Sequence, residues 1–271
     1  MSKAKRLALG HIIGLSLFHI ALIYYFPAQK FTFLSLLAGF IMYQVKILGI
    51  TIGYHRLYTH RAFTANNALK FIFALMGTLA GQGPLSRWVN HHWEHHRYCE
   101  QDKDPHSPVV NSFWYAHIGW LTNPESFDDE KVRKQKLNLT PAVQFLDDHF
   151  NLVFLTQLPI FYFLGHVIEN NGWGWVYTAF LASTVLSLHS TFLVNSLCHV
   201  FGKKDYETGD ESRNNLLVAI LTNGEGWHNN HHAQPNSAVH GWNKGQLDIT
   251  FLIIKFFEKL GYVSNVKYPK L

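Results

Sequence analysis

Four stretches of this chain are long and apolar enough to cross a lipid bilayer: residues 7–26, 31–54, 150–168 and 173–197. A bilayer core is spanned by about 20 mostly apolar residues as helix. Lipid offers no hydrogen bonds, so each span must satisfy its backbone internally, which selects helices. Only 15% of residues are charged, against roughly 25% in soluble domains. The expectation is an all-α integral membrane protein: one domain over residues 1–271, with four transmembrane helices and a helical cap on one membrane face. A fifth apolar stretch, 69–85, is short and broken by Gly77, Gly81, Gly83 and Pro84. It reads as a helix lying against the membrane surface or buried in protein. Residues 251–260 carry Lys255, Glu258 and Lys259 on one side and read as an amphipathic interfacial helix.

The basic residues set the orientation. Lys3, Lys5 and Arg6 precede the first span, ten Lys and Arg lie between the second and third, and eight follow the fourth. The turn between spans one and two has only Lys30, and the turn between three and four has none. The positive-inside rule puts both termini and both long segments in the cytoplasm. The first span resembles a signal peptide in its basic start, but it is longer than an ordinary apolar core and lacks a small-x-small cleavage site, so it is read as retained. The net charge of +5 follows this placement, and no nucleic-acid partner is expected. Cys99 and Cys198 form no metal-binding pair motif and read as small buried residues.

Nine histidines fall in four groups beside these apolar runs: His55 and His60; His92, His95 and His96; His199; and His228, His231 and His232. Both triads have i, i+3, i+4 spacing, one face of a helix. His55 and His60 are five apart, so they converge only if the helix ends or unwinds between them. The topology puts all four groups on the cytoplasmic face. Histidine binds iron, zinc, copper or nickel as a neutral nitrogen ligand, and spacing alone does not choose among them. Nine imidazoles exceed one ion's capacity, so two metals are expected. Soluble di-iron bundles use paired Glu-x-x-His motifs, and here only Glu225 and His228 fit that pattern.

These residues resemble the membrane-bound fatty acid desaturases, especially the stearoyl-CoA (delta-9) branch in its bacterial form. His55-Arg56-Leu57-Tyr58-Thr59-His60 is similar to that family's first histidine box. His92-Trp93-Glu94-His95-His96 is similar to its second, and Gly224-Glu225-Gly226-Trp227-His228-Asn229-Asn230-His231-His232 to its third. Asn195-Ser196-Leu197-Cys198-His199 resembles its NSxxH segment. The resemblance implies two iron ions held by the nine histidines, with Asn195 reaching one iron through a water. It implies Glu100 and Asp104 as carboxylates that orient the histidines, and leaves His106 structural. Haem and flavin are not expected on this chain.

An acyl chain must be held in one register to present one carbon pair. By the resemblance, Gln82, Trp88 and Thr191 line a kink in a substrate tunnel, and Tyr43 and Ile47 line its far end. Ile47 is bulkier than its counterpart in some relatives. It therefore predicts a preference for sixteen- over eighteen-carbon chains, shifted toward longer chains by Ile47→Ala. Lys46, a charge inside the second span, has no assigned role. His91 and Asn90 depart from acidic and arginine positions that the resemblance associates with an acyl-CoA head group. Lys203, Lys204 and Arg213 are alternative head-group contacts.

The implied activity is a dioxygen-dependent desaturation of a saturated C16–C18 acyl chain on coenzyme A or lipid. Two electrons come from a separate cytochrome b5 or ferredoxin-type donor, in a bacterial inner membrane. The alternative is a related di-iron hydroxylase acting on an alkane, sterol or carotenoid.

Overall fold

The structure, a computed structural model, describes residues 1–127 and 137–270. The basic residues Lys131, Arg133, Lys134 and Lys136, part of the charge count above, lie outside the described residues. Among the described residues, four helical runs are long and apolar enough to cross a membrane: Lys3–Ala28, Phe33–Thr59, Phe150–Glu169 and Gly172–His199.

Helix α1 (Lys3–Tyr25) starts at Ser2, whose hydroxyl accepts from Lys5 N. Helix α2 (Phe33–Leu48) starts with a reciprocal cap between Thr32 and Ser35. It continues without a break as a π-helical segment, Gly49–Thr59. A short strand β1 (Thr64–Ala65), α3 (Asn67–Leu79), α4 (Leu85–Tyr98) and α5 (Phe113–His117) follow. Helix α6 (Pro141–Asp148) leads into the third span, which is α7 (Phe150–Leu155) and α8 (Gln157–Glu169). Pro159 lacks the N–H that would reach Leu155, which breaks the helix near Thr156. The fourth span is α9 (Gly172–Trp175), a second π segment (Val176–Ala182) and α10 (Ser183–Ser196), with a 3-10 turn at Leu197–His199. The remaining elements are α11 (Leu216–Leu221), α12 (His228–Ala233), α13 (Ile249–Lys259) and β2 (Val263–Ser264), which pairs antiparallel with β1.

The apolar stretch at 69–85 is therefore α3 plus the turn before α4, buried in protein against the first π segment. Glycine makes that contact possible. A Cβ on Gly49 would sit 2.2 Å from the Met76 carbonyl carbon, and one on Gly53 would sit 2.6 Å from Phe73 O. Small residues one turn apart let backbones approach this closely. The main core joins the π segment, α3, α4 and α13 through Ile52, Tyr54, Phe73, Leu85, Val89 and Ile254. A smaller cluster ties the third and fourth spans through Phe161, Trp175, Ala179 and Phe180.

Lys46 belongs to this packing. It is fully buried, and its Nζ donates to Ser183 Oγ (2.6 Å), Thr184 Oγ1 (2.7 Å) and the carbonyls of Phe180 and Ala179. It ties α2 to the end of the second π segment. Its Nζ thus meets two carbonyls of that segment and the first two hydroxyls of α10.

Candidate metal centre

The π segment answers the five-residue spacing of the first pair. The helix neither ends nor unwinds between His55 and His60: it widens, and His60 N donates to His55 O at 3.0 Å, the i→i+5 bond of a π turn. A five-residue step then brings both imidazoles to the same side, with ring centroids 4.7 Å apart. Both are buried.

Around them five ring nitrogens converge. His55 Nε2 lies 3.2 Å from His231 Nε2, and His231 Nε2 is 2.9 Å from His96 Nε2. His92 Nε2 is 3.0 Å from both His96 Nε2 and His60 Nε2. A second cluster gathers the other four histidines. His199 Nε2 is 3.1 Å from His228 Nε2, and the His228 and His232 rings are 4.4 Å apart. His95 completes it, 5.3 Å between ring centroids from both His199 and His232. Two adjacent pairs divide between the clusters: His96 and His231 belong to the first, His95 and His232 to the second. Successive side chains on a helix point about 100° apart, so one His-His step serves two sites.

These nitrogens fit metal ions. Five ring nitrogens converging with neighbours at 2.9–3.2 Å are placed to share a cation. Ligands about 2.1 Å from a common centre at right angles lie roughly 3.0 Å apart. His232 gives the second sign: Nδ1 donates to Asp210 Oδ2 at 2.8 Å, while its buried Nε2 has no protein partner. Burial, with crowding by neighbouring imidazoles, holds the pKa values of His92, His96, His228 and His231 well below the ordinary value. Burial likewise lowers His232 to about 4. At neutral pH these rings are uncharged, the state a metal requires.

Carboxylates orient the outer nitrogens. His95 Nδ1 donates to Asp104 Oδ1 (3.0 Å), and His199 Nδ1 to Glu100 Oε1 (3.1 Å). Glu100 and Asp104 thus lie against the outer nitrogens of two of these histidines. Burial opposes ionisation of Asp104 and Asp210, but His95 and His232 outweigh it and hold both well below the usual carboxylate range. Sequence reasoning missed two further partners, Asp210 and Glu225. Glu225, weighed above only as half of a Glu-x-x-His motif, accepts from His55 Nδ1 at 2.6 Å. Its other oxygen accepts from Arg56 Nε and Nη2. Arg56 is fully buried and reaches on to Asp248 Oδ2 at 3.0 Å. Gly224, at φ +123°, has no room for a side chain beside Asp248. His240 also lies against Glu225, at 3.3 Å.

Other expected residues sort as follows. His106 donates its backbone N–H to Asp104 and stays outside both clusters of Nε2 atoms. Cys198 is buried, but Cys99 is half-buried, 3.9 Å from His232 Nδ1, and is not a simple core residue. Trp88 Nε1 donates to Gln82 Oε1 (3.0 Å), and Gln82 Nε2 donates to Thr191 Oγ1 (2.8 Å). These three residues, with His92 and Asn195, line one cavity of about 80 Å3. Tyr43 and Ile47 do not line it. Tyr43 donates to Leu221 O at 2.6 Å, and Ile47 is buried. His91 lines the cavity beside Trp120. Lys203 pairs with Asp205, and Lys204 and Arg213 with Glu211.

The fatty acid desaturase family pattern matches residues 31–246. An sn-1 stearoyl-lipid 9-desaturase of Anabaena variabilis is 37% identical over 92% of this chain and 90% of its own length. A probable chloroplastic lipid desaturase of Arabidopsis thaliana is 41% identical over 81% of this chain, which spans 60% of that relative's length. An icosanoyl-CoA 5-desaturase of Limnanthes douglasii is 34% identical over 91% of this chain and 67% of its own length.

Proposed function

Because the chain belongs to the fatty acid desaturase family, whose members are oxidoreductases acting on fatty acyl chains, we propose that it is a dioxygen-dependent acyl desaturase. It converts a saturated C16–C18 acyl chain to a cis-alkene, at delta-9, using two iron ions. Two hydrogens leave adjacent methylenes, and dioxygen with two electrons and two protons leaves as two waters. The electrons come from an external donor. The observation that carries this reading is the cavity lined jointly by His92, Asn195, Trp88, Gln82 and Thr191. It sets a space for a chain directly against the first histidine cluster.

Iron and dioxygen, when bound, supply the oxidant that an unactivated methylene needs. In the first cluster His55, His60, His92, His96 and His231 would hold one ion. His95, His199, His228 and His232 would hold the other, with Asn195 reaching one of them through water. Asp104, Glu100, Asp210 and Glu225 fix which nitrogen of each bonded ring carries the proton, leaving Nε2 free. Trp88, Gln82 and Thr191 form a hydrogen-bonded bracket that fixes one wall of the cavity. A rigid wall of this kind holds one carbon pair in register. In this reading the termini and both histidine-bearing segments are cytoplasmic in a bacterial inner membrane, supported by the placement of Lys and Arg.

The test is expression in a host lacking delta-9 unsaturates, followed by analysis of chain length, bond position and lipid class. A new cis-alkene is expected. An alcohol in its place sinks desaturation in favour of hydroxylation. Purified protein should carry close to two irons per chain, and full activity in His199→Ala would show the ligand set to be wrong.

A further inference from the structure

Three histidines outside both metal clusters form a string of their own. His19 lies on α1, His117 ends α5 and His189 is on α10. His19 Nε2 is 2.8 Å from His189 Nε2, and His189 Nδ1 is 2.9 Å from His117 Nε2. One end of the string is His19 Nδ1, 2.7 Å from Leu15 O. The other is His117 Nδ1, 3.0 Å from Ser196 Oγ, and Ser196 Oγ is also 2.9 Å from Phe192 O. His117 and Ser196 are buried, and His19 and His189 are half-buried. His19 and His189 sit on membrane spans, where an ionisable side chain is a functional hypothesis by default.

The end partner fixes every proton. Leu15 O can only accept, so His19 Nδ1 carries a proton and donates it. A neutral imidazole has one donor and one acceptor nitrogen, so His19 Nε2 accepts from His189 Nε2. His189 Nδ1 then accepts from His117 Nε2, and His117 Nδ1 accepts from the Ser196 hydroxyl. All three rings are then neutral and every ring nitrogen is bonded. One added proton also fits. His117 Nδ1 becomes the donor to Ser196 Oγ, and the hydroxyl turns to Phe192 O. Shifting the shared proton across each N–H···N bond moves the charge to His189 or His19 without breaking the string. A second proton does not fit, because one facing pair of nitrogens would then hold two N–H groups. Since Leu15 O neither gives nor takes a proton, protons enter and leave through Ser196.

We propose that the His19–His189–His117 string is a one-proton store that serves the reaction from the Asn195 side. The proposal rests on the desaturase reading, in which dioxygen reduction consumes two solvent protons. Ser196 directly follows Asn195, which lines the cavity together with His92. In loading, a solvent proton bonds to Ser196 Oγ as the hydroxyl proton passes to His117 Nδ1. Release runs the same steps backwards, so one N–H bond breaks for each O–H bond formed. The bonded partners of the three rings are imidazoles, a hydroxyl and a main-chain carbonyl. By contrast, His55, His95, His199 and His232 each bond a carboxylate. A proton in the store therefore meets no counter-charge among its bonded partners and can be given back.

The test uses the full chain, loaded with iron in nanodiscs. His117→Gln keeps the neutral bonds, since its amide N–H donates to His189 and its carbonyl accepts from Ser196, but an amide does not relay a proton. Turnover should fall several-fold at unchanged iron content. The slowing in heavy water should exceed that of the wild type, and deuterium on the reacting methylenes should matter less, because proton supply now limits the rate. A fall with both isotope effects unchanged marks a structural role and overturns the proposal, as does unchanged turnover. A second readout is the infrared difference spectrum on reducing the irons, taken with ring-labelled histidine. An imidazolium band should change in the wild type and not in His117→Gln. The same change in both proteins, or none in the wild type, overturns the proposal. Ser196→Ala closes the same entrance if His117→Gln loses its iron. Product analysis keeps the two readings apart. An alkene product with wild-type isotope effects in the variant defeats the store and leaves desaturation standing. An alcohol product with shifted isotope effects defeats desaturation and leaves the store standing.

Discussion

Glu225 accepts a 2.6 Å hydrogen bond from His55 Nδ1 while holding the buried guanidinium of Arg56 with its other oxygen. One carboxylate therefore fixes two consecutive residues of the first histidine box. Glu225→Gln keeps the shape but loses the charge facing Arg56, and it can orient its amide N–H against His55. Loss of such an outer partner lowers metal affinity by about 10–100-fold. Competitive titration with a chelator should show this at the first cluster, with a smaller change at the second.

The Trp88–Gln82–Thr191 bracket makes a different prediction. Trp88→Phe removes the indole N–H and leaves Gln82 Oε1 without its donor. The wall loosens without losing an iron ligand. The outcome should be a mixture of double-bond positions and a lower turnover rate at unchanged iron content. Mass spectrometry of derivatised products reads the positions directly. A single unshifted position would show that the bracket does not set the register.

Lys46 can be separated from catalysis. Ser183 and Thr184 also donate to the carbonyls of Ala179 and Phe180, so those carbonyls stay bonded without the lysine. Lys46→Met should therefore lower stability by about 1 kcal/mol or less. Lys46→Ala also leaves a cavity and should cost about 2–5 kcal/mol. Thermal midpoints in detergent compare the two.

Stability without metal should depend on pH in a defined window. The buried histidines His92, His96, His228, His231 and His232 have folded pKa values below the unfolded 6.5, with His232 at about 4. Unfolding then takes up protons, so their contribution is present above 6.5 and is lost as the pH falls toward the folded values. His95 runs the other way: burial lowers its pKa, but Asp104 outweighs burial and the net shift is upward. Asp104 and Asp210 stay ionised throughout this range. Chelator-stripped protein should melt at lower temperature at pH 5 than at pH 7.5, and iron, which keeps protons off its ligands, should widen the difference.

Much of this was legible in the sequence because it is local. Spans follow from runs of apolar residues, and His92, His95 and His96 share a helix face by spacing alone. What escaped is set by tertiary contact. The π turn at His55 depends on α3 packing against Gly49 and Gly53. Asp210 and Glu225 meet histidines from distant segments, so no local period reveals them. Lys46 looked anomalous because its partners, Ser183 and Thr184, lie on another span. Ile47 is buried, yet it does not line the cavity that holds Trp88.

The π turn also bears on inheritance. Its geometry depends on the count of residues between His55 and His60 more than on their chemistry. Inserting one residue there would make the step six and turn one imidazole away from the cluster. Replacing Leu57 or Tyr58 by another apolar residue would leave the step intact. The segment should therefore tolerate changes of letter far better than an added residue, and insertions in this five-residue interval should mark descendants that have lost the chemistry.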